Sequence, residues 1–246
     1  SRRLGDVYKR QSHGRSKKQS KRNKRFLIVC GGVVTEFEYF SYIKSEVSKY
    51  CATSWNIHKS INIEKEGVDP LTLTNYAIKL ERLDCKEAKK ENYDPFTLVW
   101  VVTDVDEFGE KIQQAQSKSD STFGKVKLVI SNPCFEVWLI DHIKSCPLSC
   151  TETRDCQKEA KELGLLHNTT GNKNKHIQLE KLTGNYENAF KNAKQHMQTE
   201  QKEKRKNHPS VTQKSNYAPW TDVPEIVETI LNECKHASGI DLSERL

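Results

Sequence analysis

Apolar residues along this chain come in short runs separated by charged stretches, and the period of each run assigns it an element. Phe26 to Cys30 (FLIVC) is an unbroken apolar run between a cluster of cations and Gly31-Gly32, the signature of a buried strand. After it, Phe40, Ile43 and Val47 recur at helical spacing behind Thr35, which can cap the helix. Ile57 to Glu64 alternates Ile57, Ile61 and Ile63 with polar residues and predicts a second strand. Asp69-Pro70 then supplies an N-cap and an N1 proline for a long helix whose face is Leu73, Tyr76, Ala77, Leu80 and Leu83. Leu98 to Thr103 (LVWVVT) is apolar on both faces, as a central strand covered from both sides must be.

A short helix with Phe108, Ile112 and Ala115 follows, then a strand from Val126 to Ile130. Ser131-Asn132-Pro133 reads as the cap and first-turn proline of a helix carrying Phe135, Trp138 and Leu139. Strand and helix thus alternate through the first half of the chain. That order predicts an α/β fold: a central, mostly parallel sheet flanked by helices, with ligands at the carboxyl ends of its strands. From Asp155 onward the periodic segments are helical: Asp155 to Leu163 ended by Gly164, Asn185 to Met197, and Pro224 to Cys234 after Thr221-Asp222. Glu200 to Lys214, polar and lysine-rich with Pro209, predicts a mobile loop. The organisation that follows is a leader over residues 1–24, an α/β core over 25–145 and a helical C-terminal region over 146–246.

Composition narrows the class. Charged residues are 30% of the 246, the mean hydropathy is −0.78, and the longest aliphatic and aromatic run is Leu98 to Val102. That run is far short of the roughly 20 apolar residues that span a bilayer, so no membrane partner is expected. The start of the chain is charged where a secretory signal needs an apolar core, so a cytoplasmic location is expected.

Charge placement adds more than the total. Residues 1–25 hold eleven Lys or Arg against the single acid Asp6, a net +10 within a chain whose total is +7. Lys17, Lys18, Lys21, Arg22, Lys24 and Arg25, joined later by Lys202, Lys204, Arg205 and Lys206, are the cations expected to lie along DNA or RNA phosphates. The plainer alternative is a disordered, solvated leader. Arg2 to Gln11 (RRLGDVYKRQ) resembles translated sequencing-adapter read-through and is set aside from the fold reading.

Eight cysteines fall at 30, 51, 85, 134, 146, 150, 156 and 234 with no pair of CxxC motifs. Cys146, Cys150 and Cys156 lack a fourth ligand at zinc-knuckle spacing, and His142 or His167 are the nearby residues that could complete a tetrahedron. Reduced, buried thiols are the default expectation.

Carboxylates supply the candidate chemistry. Asp104 and Asp106 end the most apolar strand, and residues i and i+2 of an extended chain project to one side. Two carboxylates that close repel each other, and a divalent cation with oxygen ligands is their usual stabiliser; an acidic turn or helix cap is the alternative. Glu136 follows another strand in the first turn of a helix, and Glu36 sits where the first strand gives way to its helix. Either could act simply on the helix dipole. Three strand ends would then offer carboxylates to one edge.

Phe26 to Phe40 (FLIVCGGVVTEFEYF), Leu98 to Glu107 (LVWVVTDVDE) and Ser131 to Leu139 (SNPCFEVWL), in this order, resemble the RloB family of prokaryotic anti-phage proteins. The resemblance reaches Gly67 to Leu71 (GVDPL) and Pro219 to Leu231, so it covers most of the chain from Arg25 on. This family is similar to the Toprim-fold domains of topoisomerases, primases and overcoming-lysogenisation-defect nucleases, and often stands beside an AAA-type ATPase in abortive-infection operons. The resemblance implies a Toprim-like sheet with Mg2+ (or Mn2+) on Asp104 and Asp106, helped by Glu36 and Glu136. It also implies metal-dependent cleavage of DNA or RNA. The family's first motif resembles VCEGEKTE, and here Gly31 and Val33 replace glutamates, Val34 replaces lysine, and Glu36 is kept. Losing the first glutamate removes a general base or metal ligand. A second expectation therefore stays open: a catalytically inactive subunit that binds nucleic acid or docks an ATPase partner.

Overall fold

The protein is described by a computed structural model over residues 24–51, 54–106, 108–167, 175–209 and 216–246. Its centre is a five-stranded sheet in the order β2-β1-β3-β4-β5. The strands are β1 (Phe26–Cys30), β2 (Ile61–Lys65), β3 (Leu98–Asp104), β4 (Val126–Asn132) and β5 (Trp220–Thr221). β1 to β4 are mutually parallel, and β5 joins the far edge antiparallel, pairing Ser131 with Thr221 and Asn132 with Trp220. The α/β architecture expected from the alternating pattern is therefore the one observed.

The helices are α1 (Thr35–Cys51), α2 (Ile57–Ser60), α3 (Pro70–Glu91), α4 (Gly109–Asp120), α5 (Glu136–Asp141), α6 (Thr153–Glu162), α7 (Tyr186–His196), α8 (Thr199–Asn207) and α9 (Val223–Ser238). Pleating sorts the strand residues between two cores. Phe26, Ile28, Trp100 and Val102 pack with side chains of α1, α5, α7 and α9, whereas Leu27, Val29, Val99 and Val101 pack with those of α3 and α4. Burial on both faces is what makes β1 and β3 apolar throughout. Among the described residues, no helix is long and apolar enough to cross a membrane.

Several local expectations are corrected. Ile57 to Ser60 is a single helical turn capped by Asn56, whose side chain accepts from the Lys59 N–H at 3.3 Å, and the strand begins only at Ile61. Ile57 and Ile61 are both buried, a spacing of four that a helical turn satisfies as well as a strand does. Thr35 is the first residue of α1 rather than its cap, and its hydroxyl donates to the Lys175 carbonyl at 2.8 Å. β4 runs on through Ser131 and Asn132 because β5 pairs with them, so Pro133 precedes the helix and α5 starts at Glu136.

The lysine-rich segment is not a loop over 199–207 but α8; residues 210–214 lie outside the described residues. Its Lys, Glu and Gln are good helix formers, and the Arg205–Asp222 ion pair at 2.8 Å docks it. Reduced thiols are not universal either: Cys51 at the end of α1 and Cys234 in α9 form a disulfide.

Candidate functional site

Parallel strands bring their carboxyl ends to one edge, and three of the four predicted carboxyl groups gather there. Asp104 closes β3, Glu36 lies in the first turn of α1 after the β1 turn, and Glu136 opens α5 directly after the β4 turn. Glu36 and Glu136 are buried, and Asp104 is half-buried. Burial pushes the Glu36 carboxyl up to about 7, with the Glu136 charge adding to the shift and the Glu36 and Gly32 amides and Lys175 opposing it. Asp104 is held well above the ordinary carboxylate range, first by burial and then by repulsion from Glu36, Glu136 and Asp106. Glu136 is raised mainly by burial, against stabilising hydrogen bonds from the Cys134 thiol and its own amide. These groups sense one another through the interior rather than through bulk water.

Satisfaction of the oxygens is uneven. Asp104 receives the Phe135 N–H, but its Oδ1 is buried without a hydrogen-bond partner. An unpartnered carboxylate oxygen facing other carboxylates is a costly arrangement for a protein alone and a suitable one for a cation. Asp106 is turned differently. It has a positive φ of 30°, and its Oδ1 accepts from Thr153 Oγ1 at 2.9 Å at the start of α6. The four carboxylates do not close into a ligand shell, since no three of them come mutually within 4.8 Å.

Two glycines shape this corner. A Cβ on Gly32 would collide with the carboxyl carbon and both oxygens of Glu36, so only glycine leaves room for the carboxylate to fold back over the turn. Gly32→Ala is expected to keep the fold, because the obstructed group is the tip of a flexible side chain, but to displace Glu36. The variant should melt near the wild-type temperature while any thermal stabilisation by Mn2+ falls to the level of Glu36→Ala, as differential scanning fluorimetry would show. Gly31 lies against β3, donating its N–H to Val102 O at 2.8 Å. A Cβ there would meet Val102 O at 3.3 Å, Leu73 Cδ2 at 3.4 Å and Thr103 Oγ1 at 3.5 Å, a tight fit that small shifts relieve.

Lys175 is the residue at this edge that no sequence pattern signals. Its charge acts on both Glu36 and Glu136, and its carbonyl is anchored by Thr35. The surrounding Asn- and Lys-rich segment has no periodicity from which its place could be inferred.

The predicted phosphate-binding cations divide. Lys17, Lys18, Lys21 and Arg22 lie outside the described residues. Lys24 pairs with Glu233 at 3.0 Å. Arg25 is committed to the interior: it bridges Asp84 at 2.9 Å and the Asp94 carbonyl at 2.8 Å, with its guanidinium over Tyr93 and Phe96. Arg205 is likewise held by Asp222, and Lys204 pairs with Glu200 at 2.7 Å. Lys202 and Lys206 line a groove of about 650 Å³ with Lys127, Gln116 and Trp220. Val126, Lys127 and Leu128 put this groove on the amino half of β4, away from the carboxylates at its other end.

A family model described as RloB-like protein matches residues 26–230. No curated protein and no solved structure matches.

Proposed function

The chain belongs to the RloB-like family, and from that premise we propose that it is a Toprim-like, metal-dependent phosphodiesterase acting on DNA or RNA. The observation that carries this reading is the meeting of Glu36, Asp104 and Glu136 at one edge of the sheet, each with its carboxyl raised by burial. An all-oxygen donor set suits Mg2+ or Mn2+. Asp104 would hold the ion through the unpartnered Oδ1, with Glu36, Glu136 and Asp106 as the other carboxylates around it. Bound there, such an ion polarises a phosphate and lowers the pKa of an attacking water.

Glu36, with its carboxyl near 7, is placed to take a proton at neutral pH, where a general base works best. Lys175 supplies a positive charge for the substrate phosphate. Lys202 and Lys206 offer a second, salt-sensitive contact along the flank of a nucleic acid, beside Lys127, which pairs with Glu225 at 2.5 Å. Anti-phage defence in the cytoplasm beside an AAA-type ATPase partner belongs to the same proposal and rests on the motif resemblance.

One observation favours a second reading, a non-catalytic subunit. Gly31 and Val33 stand where glutamates are expected, and the remaining carboxylates do not converge as a ligand shell. Gly31→Glu separates the two. Restoring a carboxylate at the end of β1 is expected to raise metal-dependent cleavage on the order of 10² to 10⁴-fold, the usual contribution of a general base. Wild type and Gly31→Glu are assayed with Mg2+ and Mn2+ on single-stranded DNA, duplex DNA and RNA. If both are inert on all three, the non-catalytic reading replaces the nuclease.

A further inference from the structure

Behind the Glu136 turn lies a second gathering of reactive groups, made of sulfur. Residues 142–152 link α5 to α6 and bring Cys146 and Cys150 against Cys156 in the first half of α6. Their three Sγ atoms lie within 4.8 Å of one another, and no other three His, Cys, Asp or Glu side chains among the described residues converge so closely. Cys134, in the turn between β4 and α5, stands beside Cys156, outside the set of three whose sulfurs lie mutually within 4.8 Å. The Cys156 sulfur is hydrogen-bonded to the Cys150 carbonyl at 3.6 Å. All four residues are at most 3% exposed, and none of the four is disulfide-bonded.

Hydrophobic packing does not account for this grouping. A buried cysteine ordinarily behaves as a small apolar side chain, and S–H is a weak donor, so four thiols gain little by facing each other. Three sulfurs converging in a closed interior, with a fourth cysteine beside one of them, offer the all-thiolate donor set that selects Zn2+. The three residues between Cys146 and Cys150 fall within the spacing of zinc knuckles. Backbone hydrogen bonds already hold that turn: Cys150 N–H donates to Pro147 O at 2.8 Å, and Cys146 N–H donates to Asp141 Oδ1 at 2.9 Å. Neither of the histidines that sequence spacing offered as a fourth ligand, His142 and His167, joins the group of ligand atoms within 4.8 Å of one another.

We propose that Cys146, Cys150 and Cys156 bind one Zn2+ as a closed structural site, with neighbouring Cys134 drawn in as the fourth ligand. On binding, the four thiols release their protons and the ion ties the β4–α5 turn to the α5–α6 loop and to α6. Cys134 lies two residues before Glu136 in the same turn, so the ion would fix the turn that carries Glu136. This inference does not depend on the phosphodiesterase reading.

Elemental analysis of the full chain, purified under reducing conditions from zinc-supplemented medium, tests it. One zinc per chain is expected, and exchange for Co2+ should produce thiolate-to-cobalt charge-transfer bands with tetrahedral d–d absorption. Cys146→Ser and Cys156→Ser should lose the metal, while Cys85→Ser on α3 should keep it. Wild-type protein without zinc above the buffer blank overturns the proposal, whether the four thiols then titrate as free or as disulfides. Zinc retained at full stoichiometry by Cys156→Ser overturns it equally. Should the serine variants fail to fold, metal content and the cobalt spectrum of the wild type still decide.

Discussion

Asp104→Ala is expected to abolish metal-dependent cleavage by this chain while leaving it folded. The residue ends the central strand β3, receives one backbone N–H from Phe135, and keeps Oδ1 unpartnered among Glu36, Glu136 and Asp106. Truncating it removes an acceptor that the protein itself barely uses. It also relieves repulsion, so stability should hold or rise, a common mark of a group kept for function. Losing the central cation ligand forfeits several kcal/mol of transition-state stabilisation, on the order of 10³-fold in rate or more.

Asp106→Ala should cost less, because its Oδ1 is already engaged by Thr153 Oγ1. Cleavage of a labelled oligonucleotide with Mn2+, alongside a thermal melt of each variant, measures both effects. Activity in Asp104→Ala equal to wild type would remove the carboxylate edge from the chemistry.

His196→Ala should bring the largest loss of stability, about 3–5 kcal/mol, the usual cost of stripping one partner from a buried ion pair. His196 Nε2 lies 2.9 Å from Asp141 Oδ2 and 3.1 Å from Oδ1, and Nδ1 lies 3.0 Å from Pro219 O. Both ring nitrogens face oxygen atoms, so Nδ1–H donates to the Pro219 carbonyl and one proton lies between Nε2 and the Asp141 carboxyl. Burial pushes the Asp141 carboxyl up, and the His196 hydrogen bond and charge oppose that shift. Both residues are buried, and their pair joins α5 to α7, with His196 reaching on to the bend before β5.

Alanine at 196 would leave the Asp141 carboxylate in the interior with the Cys146 N–H as its remaining partner among the contacts described above. Urea unfolding of His196→Ala, Asp141→Ala and the double variant gives the coupling energy. A loss below about 1 kcal/mol, the worth of an ordinary neutral hydrogen bond, would overturn this expectation.

Much of the fold was legible in the sequence because each covered strand must be apolar on both faces. FLIVC and LVWVVT carry that requirement in five or six consecutive residues, and Asp69-Pro70 states the start of α3 outright, with Asp69 Oδ1 accepting from Leu71 N–H at 3.1 Å. The carboxylate edge was legible for the same reason. In a parallel sheet every strand's carboxyl end lies on one side, so Glu36, Asp104 and Glu136 had to share an edge once their strands were recognised.

What escaped the sequence has short or distant causes. β5 is two residues long, too short for any period, yet it decides where β4 ends and α5 begins. α8 looked like a loop because its helix shows little apolar face, and the Arg205–Asp222 pair that docks it joins residues far apart in the chain. Lys175, the His196–Asp141 pair and the meeting of Cys146, Cys150 and Cys156 were decided only when tertiary packing closed loops between separate elements. Residue order alone fixes which groups a strand or helix face presents; which of them meet depends on how those faces pack, and that information is spread over the whole chain.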